Sequence, residues 1–201
     1  MSTGDGAVID KRGLRVALRE RREAHVAALP QAIRALTFGI APGPLAALMR
    51  RARTVAAYVP LGDEADPLRL LAQATAMGCH TALPHIISRA DPMRFIAWRP
   101  GSLLVVGPLG LRQPDAAGRE VVPDLILTPL VGFDRALNRL GQGAGHYDRA
   151  FAANPQALRI GVAWAAQEVE SLPLEPWDVP LDAVLTEREW IAGPRAEGAG
   201  V

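Results

Sequence analysis

Between Gly132 and Arg149 the chain reads Gly-Phe-Asp-Arg-Ala-Leu-Asn-Arg-Leu-Gly-Gln-Gly-Ala-Gly-His-Tyr-Asp-Arg. Three glycines alternate at 141, 143 and 145, with Arg139 just before them and Asp148-Arg149 just after. Upstream, Leu125-Ile126-Leu127-Thr128 is a short apolar run of the kind a buried strand requires. Downstream, Tyr147 to Ala153 has helical composition and closes at Asn154-Pro155. Strand, glycine loop and helix in that order constrain the chain to an α/β arrangement.

The same order suits a polyphosphate. Glycines admit backbone conformations closed to other residues and keep side chains out of a ligand's path. Successive N–H groups beside a helix N-terminus then form an anion nest. Arg139 adds a planar fork of donors for phosphate oxygens, and Asp148, at the helix start, offers a carboxylate oxygen to Mg²⁺. The competing reading is a flexible turn followed by an ordinary acid in a first helical turn. The spacing matches neither the Walker loop nor the dinucleotide fingerprint.

The remainder of the chain sets bounds. At 201 residues it fits a single domain, 1–201, with a sizeable core. A formal net charge of +1 argues neither for nor against a polyanionic partner. No run of 18 apolar residues suggests a membrane span, and Met1–Gly6 lacks the pattern of a signal peptide. Cys79 is the sole cysteine, which excludes an internal disulfide and points to a reducing, cytoplasmic setting. The four histidines lack zinc-ligand spacing, and His80 and His85 read as packed or surface residues.

In chain order, residues 1–8 read as a loose leader, and a helix is expected from about Asp10 to Leu29. Leu14, Ala17, Leu18, Ala24 and Ala28 define its apolar face. Lys11, Arg15, Arg19 and Arg22 form a stripe beside that face, at steps of four, four and three. Such a stripe is either a solvated basic edge or an arm over an anion, a nucleotide phosphate or RNA. Helices are expected at 30–38, 44–50 and 68–77, and strands at 54–59, 80–83, 93–98, 125–128 and 159–164. The loop 60–67 carries Asp63, Glu64 and Asp66 at a strand's carboxyl end, where open α/β sheets place ligands. Residues 99–122 read as a long loop. Asp178 and Asp182 suit a capped turn before the last strand, and residues 191–201 read as flexible. Alternating strands and helices predict a mostly parallel sheet with helices on both faces, a three-layer α/β sandwich.

The run Gly132-Phe133-Asp134…Asn138-Arg139-Leu140-Gly141-x-Gly143-x-Gly145-x-Tyr147-Asp148 resembles the signature of the 5-formyltetrahydrofolate cyclo-ligase (methenyltetrahydrofolate synthetase) family. Lys11-Arg12-Gly13-Leu14-Arg15 is similar to that family's amino-terminal Lys-x-x-Leu-Arg. The tail Leu172 to Glu187 is similar to its ending, so the resemblance covers roughly Lys11 to Glu187. It implies a ligase converting 5-formyltetrahydrofolate to 5,10-methenyltetrahydrofolate with ATP as co-substrate and Mg²⁺. By the same resemblance, ATP would be held by Lys11, Arg12, Gly13, Leu14 and Arg15 together with Arg139, Leu140, Gly141, Gln142, Gly143, Ala144, Gly145, His146 and Tyr147. The folate would meet Val59, Glu64 and the 142–146 segment. Asp148 and Asp178 would be the metal ligands, with Asp182 a lower-ranked acid, and Arg139 and Tyr147 would sit nearest the chemistry. The implied partners are small molecules; no membrane and no nucleic acid are expected, and a monomer is favoured.

Three positions depart from the family pattern: Leu137 and Ala144 where glycine (or, at 144, lysine) is common, and His146 where tyrosine is common. Gln113 replaces a frequent glutamate, and no role is drawn from it. His146 raises the expectation of a more pH-sensitive activity. The rival readings are a nucleotide- or folate-binding paralogue without turnover, an RNA-binding protein using the basic helix, and a sugar-phosphate isomerase on a related sandwich.

Overall fold

The computed structural model describes residues 10–198; the loose leader expected at 1–8 and the last residues, 199–201, lie outside it. Helix α1 (Lys11–Ala28) begins where Asp10 caps it, its carboxylate accepting from Arg12 N at 2.9 Å and Gly13 N at 3.2 Å. The short α2 (Gln31–Leu36) and α3 (Gly43–Arg51) follow, then β1 (Thr54–Ala56), α4 (Leu68–Ala76), β2 (His80–His85) and β3 (Arg94–Ala97). A small hairpin, β4 (Val105–Val106) and β5 (Arg112–Gln113), precedes β6 (Leu125–Thr128). A second hairpin, β7 (Gly132–Phe133) and β8 (Arg139–Leu140), leads into α5 (His146–Ala153) and β9 (Leu158–Val162). The chain closes with β10 (Ala183–Leu185), β11 (Trp190–Ala192) and α6 (Pro194–Gly198).

Seven strands form one sheet in the order β11-β10-β9-β6-β1-β2-β3. The inner five run parallel, and β3 and β11 are antiparallel at the edges. The mostly parallel three-layer sandwich is thus as the sequence predicts. Parallel strands buried on both faces need apolar residues in both parities, and Leu125-Ile126-Leu127-Thr128 is buried throughout. Val55, Leu125, Leu127, Ile160 and Val162 face α3 and α4. Ala56, Ala82, Ile126 and Val184 face Phe133 of the second hairpin and Ala150 and Phe151 of α5.

The order of crossovers decides where a ligand can sit. From β1 the chain passes through α4 to β2 on one side; from β6 it passes through α5 to β9 on the other. The direction therefore reverses between β1 and β6, and neighbouring connections part there to open a crevice at the strands' carboxyl ends.

Several expectations need correction. On α1 the buried residues are Leu18, Arg22 and Val26, whereas Ala17, Ala24 and Ala28 are exposed. A buried arginine displaces the alanines because Arg22 has a partner, Asp63 Oδ1 at 2.8 Å. The strand expected at 54–59 leaves the sheet after Ala56, which turns Tyr58 and Val59 toward the crevice. The tail after Trp190 is not loose through residue 198: β11 pairs antiparallel with β10, and Ala196 of α6 packs into the core. The long loop 99–122 contains the β4–β5 hairpin, locked by Gln113, whose Oε1 accepts from Ile86 N at 3.0 Å while Nε2 donates to Ile86 O at 3.2 Å.

That lock requires a side chain that both donates and accepts, which a glutamate carboxylate does not. Gln113→Glu would place a buried carboxylate against the Ile86 carbonyl. We expect it to cost about 2 kcal/mol, a fall in Tm of roughly 4–8 °C at neutral pH, recovered in acid as the carboxyl protonates. A thermal melt at two pH values checks this, and an unchanged Tm would exclude the lock.

Candidate active site

The β7–β8 hairpin delivers the central cation. Its turn is held by Asp134, buried, whose carboxylate accepts from Asn138 N, Asn138 Nδ2 and Leu172 N at 2.9–3.1 Å. Leu137, at φ 65°, takes the left-handed conformation within that turn and buries its side chain beside Leu181. Glycine at 137 would adopt this backbone without strain; here the buried side chain compensates. The hairpin then presents Arg139, whose side chain is 4% exposed. Its Nη2 donates to Asp148 Oδ1 at 2.7 Å, and its guanidinium lies 5.7 Å from the Tyr147 ring centroid and 5.5 Å from that of Phe151. Two aromatic faces and one carboxylate hold this buried charge in one orientation.

The glycine loop is shaped by arginines. A Cβ at Gly141 would stand 2.6 Å from Arg139 Nη1. Gly143 (φ 98°) passes over the Arg15 guanidinium, where a Cβ would stand 3.3 Å from its central carbon. Gly145 (φ 67°) is the left-handed residue from which α5 starts. The alternating glycines thus let the backbone lie directly on cations.

The stripe on α1 grips this loop and its neighbours one side chain after another. Lys11 Nζ meets Asp178 Oδ2 at 2.7 Å, and Arg15 Nε donates to Gly141 O at 2.8 Å. Arg19 Nη2 donates to Gln142 Oε1, and Arg22 reaches Asp63 in the loop after β1. The stripe is therefore not a solvated edge. Gln142 Nε2 in turn donates to Glu64 Oε1 at 3.0 Å, and Glu64 Oε2 accepts from Leu61 N at 3.0 Å.

These groups line a cavity of about 910 Å³ at the crevice between β1 and β6. Of the residues singled out in the sequence, Lys11, Arg15, Val59, Glu64, Arg139 through Asp148, and Asp178 all line it. Arg12, Gly13 and Leu14 do not: Arg12 and Gly13 are exposed, and Leu14 packs against Leu18 and Leu140. Asp182 lies away from it, buried and paired with Arg159 at 3.0 Å and Arg195 at 3.3 Å. The lining also holds Arg89, which carries no motif signal, and Arg19 and Arg149, which belong to the basic stripe and the glycine run but receive no site role from the sequence.

Burial sets the titration of the cavity walls. It pushes the Glu64 carboxyl up, against the pull of Leu61 N–H, Arg22 and Gln142. It pushes the Tyr147 hydroxyl well up, with Glu64 adding to the shift, so this hydroxyl stays protonated and able to donate. Burial, reinforced by Arg149 and Arg89, pushes His146 down. Arg149 Nη2 stands 3.1 Å from His146 Nδ1, and because a guanidinium only donates, Nδ1 is the acceptor and the proton sits on Nε2. Burial and the neighbouring Arg149 and Arg89 thus favour the neutral ring at physiological pH.

The model of the 5-formyltetrahydrofolate cyclo-ligase family matches residues 8–187. The 5-formyltetrahydrofolate cyclo-ligase of Mycolicibacterium smegmatis is 35% identical over 196 residues, 92% of this chain and 97% of the relative. The enzyme of the same name from Escherichia coli K12 is 38% identical over 143 residues, 67% of this chain and 78% of the relative. Among solved structures, the NMR structure of Aquifex aeolicus 5,10-methenyltetrahydrofolate synthetase superposes with a TM-score of 0.70 at 26% identity, covering 90% of this chain and 92% of that one.

Proposed function

The chain belongs to the 5-formyltetrahydrofolate cyclo-ligase family, and we propose that its cavity closes 5-formyltetrahydrofolate to 5,10-methenyltetrahydrofolate with ATP and Mg²⁺. One observation carries this reading. Three phosphate-seeking cations, two metal-seeking carboxylates and a half-buried glutamate line one cavity at the sheet's reversal point.

The chemical difficulty is that a formamide carbon is a poor electrophile and its oxygen a poor leaving group. The formyl oxygen attacks the γ-phosphate and ADP departs, leaving an iminium phosphate. N10 then bonds to the formyl carbon and gives up its proton, and phosphate leaves. Such transfer rests on positioning and on neutralising charge. Lys11 and Arg15 lie along the polyphosphate, and the 141–145 backbone cradles it. Arg139, already oriented by Asp148 and two rings, donates to the transferring phosphoryl oxygens. On the opposite wall Glu64 accepts the pterin's N–H donors side by side, and Val59 packs against the ring. Tyr147, protonated, donates from the floor between the two ligands.

Asp148 and Asp178 would hold Mg²⁺. Among the described residues no set of three or more acids, histidines or cysteines could enclose a metal. The donor set fits Mg²⁺ nonetheless, because this ion takes one or two carboxylates and completes its shell with phosphate oxygens and water. Both carboxylates line the cavity, and each already attracts a protein cation, Arg139 or Lys11. When bound, the metal would neutralise charge on the β- and γ-phosphates. No helix among the described residues is long and apolar enough to cross a membrane.

The test is a spectrophotometric assay with 5-formyltetrahydrofolate, ATP and magnesium, following the near-ultraviolet band of the methenyl product. We expect the band to appear, to vanish with EDTA, and to slow by about 10²–10³ in Asp148→Asn, the range for one lost charge-stabilising group. Turnover indifferent to chelation would overturn the metal assignment. Binding of both substrates without the band would favour a paralogue without turnover. The family match favours the nucleotide reading of the stripe over RNA.

A further inference from the structure

Trp177 is 68% exposed, although a tryptophan is among the residues that gain most from burial. It stands on the rim of the cavity in the sequence Glu175-Pro176-Trp177-Asp178. The proposed reaction uses Asp178 from this segment and leaves the ring without a role.

The backbone that carries the ring is fixed. Asp178 N donates to Glu175 O at 3.0 Å, and Glu175 N donates to Asp178 Oδ2 at 2.8 Å, so Pro176 and Trp177 occupy the centre of a closed turn. Proline at the first central position sets its φ for such a turn. The same Asp178 oxygen takes Lys11 Nζ at 2.7 Å, which ties the turn to the start of α1. A large apolar ring is thus presented to the cavity mouth on a short, doubly bonded turn. The other phenyl-type rings on the lining are not available for stacking in this way. Tyr58 is buried with its hydroxyl on Ala65 O, and Tyr147 lies against Phe151 at 5.9 Å.

The position along α1 distinguishes which ligand ring the indole meets. Lys11, beside Trp177, and Arg19, which reaches Glu64 through Gln142, are eight residues apart. At 1.5 Å per residue this is about 12 Å of helix. Between them Arg15 holds the glycine loop. A nucleoside triphosphate carries its base at the end away from the reacting γ-phosphate. With the polyphosphate running along Arg15 and Lys11 and the folate at Glu64, the base falls past Lys11, on the side of the Glu175–Asp178 turn.

We propose that Trp177 is a base-stacking residue: its indole face, held at the cavity mouth by the Glu175–Asp178 turn, receives the purine ring of ATP. This rests on the nucleotide reading of the site and extends it to the base, which no loop glycine or cation recognises. Stacking on an indole is tolerant of base identity, so the contact supplies affinity for a nucleobase more than discrimination among purines.

The experiment is calorimetric titration of ADP, of inorganic tripolyphosphate and of 5-formyltetrahydrofolate, each separately and with magnesium, into the full chain and into Trp177→Ala and Trp177→Phe. Loss of one base–aromatic stack predicts about tenfold weaker ADP binding in Trp177→Ala, a value within the range of single stacks. Trp177→Phe should stay near the parent, and tripolyphosphate, which has no base, should bind all three proteins within twofold. Equal ADP affinity in the parent and Trp177→Ala overturns the assignment. So does equal weakening of ADP and tripolyphosphate, which would mean that the turn merely supports Lys11. A loss confined to 5-formyltetrahydrofolate would move the ring to the other substrate and also overturns it. These three outcomes leave the nucleotide reading standing, whereas a parent protein that binds no ADP removes that reading and the stacking residue together.

Discussion

Arg139→Ala is expected to lower kcat by at least about 10³, with a smaller rise in the KM for ATP. An arginine acting on a transferring phosphoryl group is worth roughly 10³–10⁵ in rate. Arg139 is placed to act this way because little of its side chain is exposed and its orientation is set by Asp148 at 2.7 Å and by the Tyr147 and Phe151 rings. Alanine also leaves Asp148 without its cation, so circular dichroism and a thermal melt should accompany the kinetics. If alanine unfolds the hairpin, Arg139→Lys decides the matter. Lysine keeps the charge but presents a flexible point donor in place of a planar fork. It should fold and retain a small fraction of the activity. A lysine variant with full kcat would show that only charge matters at this position, and an alanine variant within tenfold of the parent would remove Arg139 from the chemistry.

Glu64→Gln is expected to weaken folate binding, and its Tm relative to the parent is expected to rise from acid to neutral pH. Burial raises the Glu64 carboxyl above its ordinary value, so the folded chain resists its ionisation. The sign follows from linkage. Below the unfolded-state value the carboxyl is neutral in both states, and glutamine changes little. As pH rises through the folded-state value, the parent bears an increasing cost that glutamine avoids, so the variant's Tm advantage should grow from acid to neutral pH. Binding runs the opposite way. A carboxylate accepting the pterin's donors makes charge-assisted hydrogen bonds of about 1.5–3 kcal/mol each. The KM for 5-formyltetrahydrofolate should therefore rise by roughly 10- to 100-fold, while the KM for ATP moves little. In the parent the folate KM should climb as pH falls through the raised carboxyl value; in the variant it should be flat. A Tm difference that does not change with pH, or an unchanged folate KM, would contradict this account.

The two residues differ in how readily the sequence discloses them. Arg139 stands beside three alternating glycines, a local pattern with few other uses, and its role follows from neighbours in sequence. Glu64 sits in a loop with Asp63 and Asp66, and nothing local separates the three. Folding does so: Asp63 turns to Arg22, Asp66 bonds to Leu68 N at 2.8 Å, and Glu64 alone of the three enters the cavity lining. Asp178 and Asp182 show the same division. Both suit a turn before a strand, but Asp182 bonds to Arg159 at the start of β9 and serves the fold. Asp178 faces Lys11 from a stretch of chain 167 residues away.

Patterns of short range are legible in the amino-acid sequence alone. The apolar strands, the helix periods and the glycine loop depend on φ/ψ preferences and on burial at a fixed repeat, properties a residue shares with its near neighbours. They are sufficient for the parallel sandwich and for the glycine loop at the start of α5. The tail escapes such reading because Trp190–Ala192 is a strand only by pairing with β10, and an edge strand of three residues has little local signature. The basic stripe is ambiguous for the same reason. Four cations at helical spacing describe a solvated edge, an RNA arm or a phosphate clamp equally well. The crossover at β1 and β6 brings the glycine loop and the loop after β1 beneath α1, and with that contact Lys11, Arg15, Arg19 and Arg22 each acquire a partner. Charge type and spacing are therefore set by the sequence itself, whereas the partner of each charge, and so its use, is decided by long-range packing that no local pattern encodes.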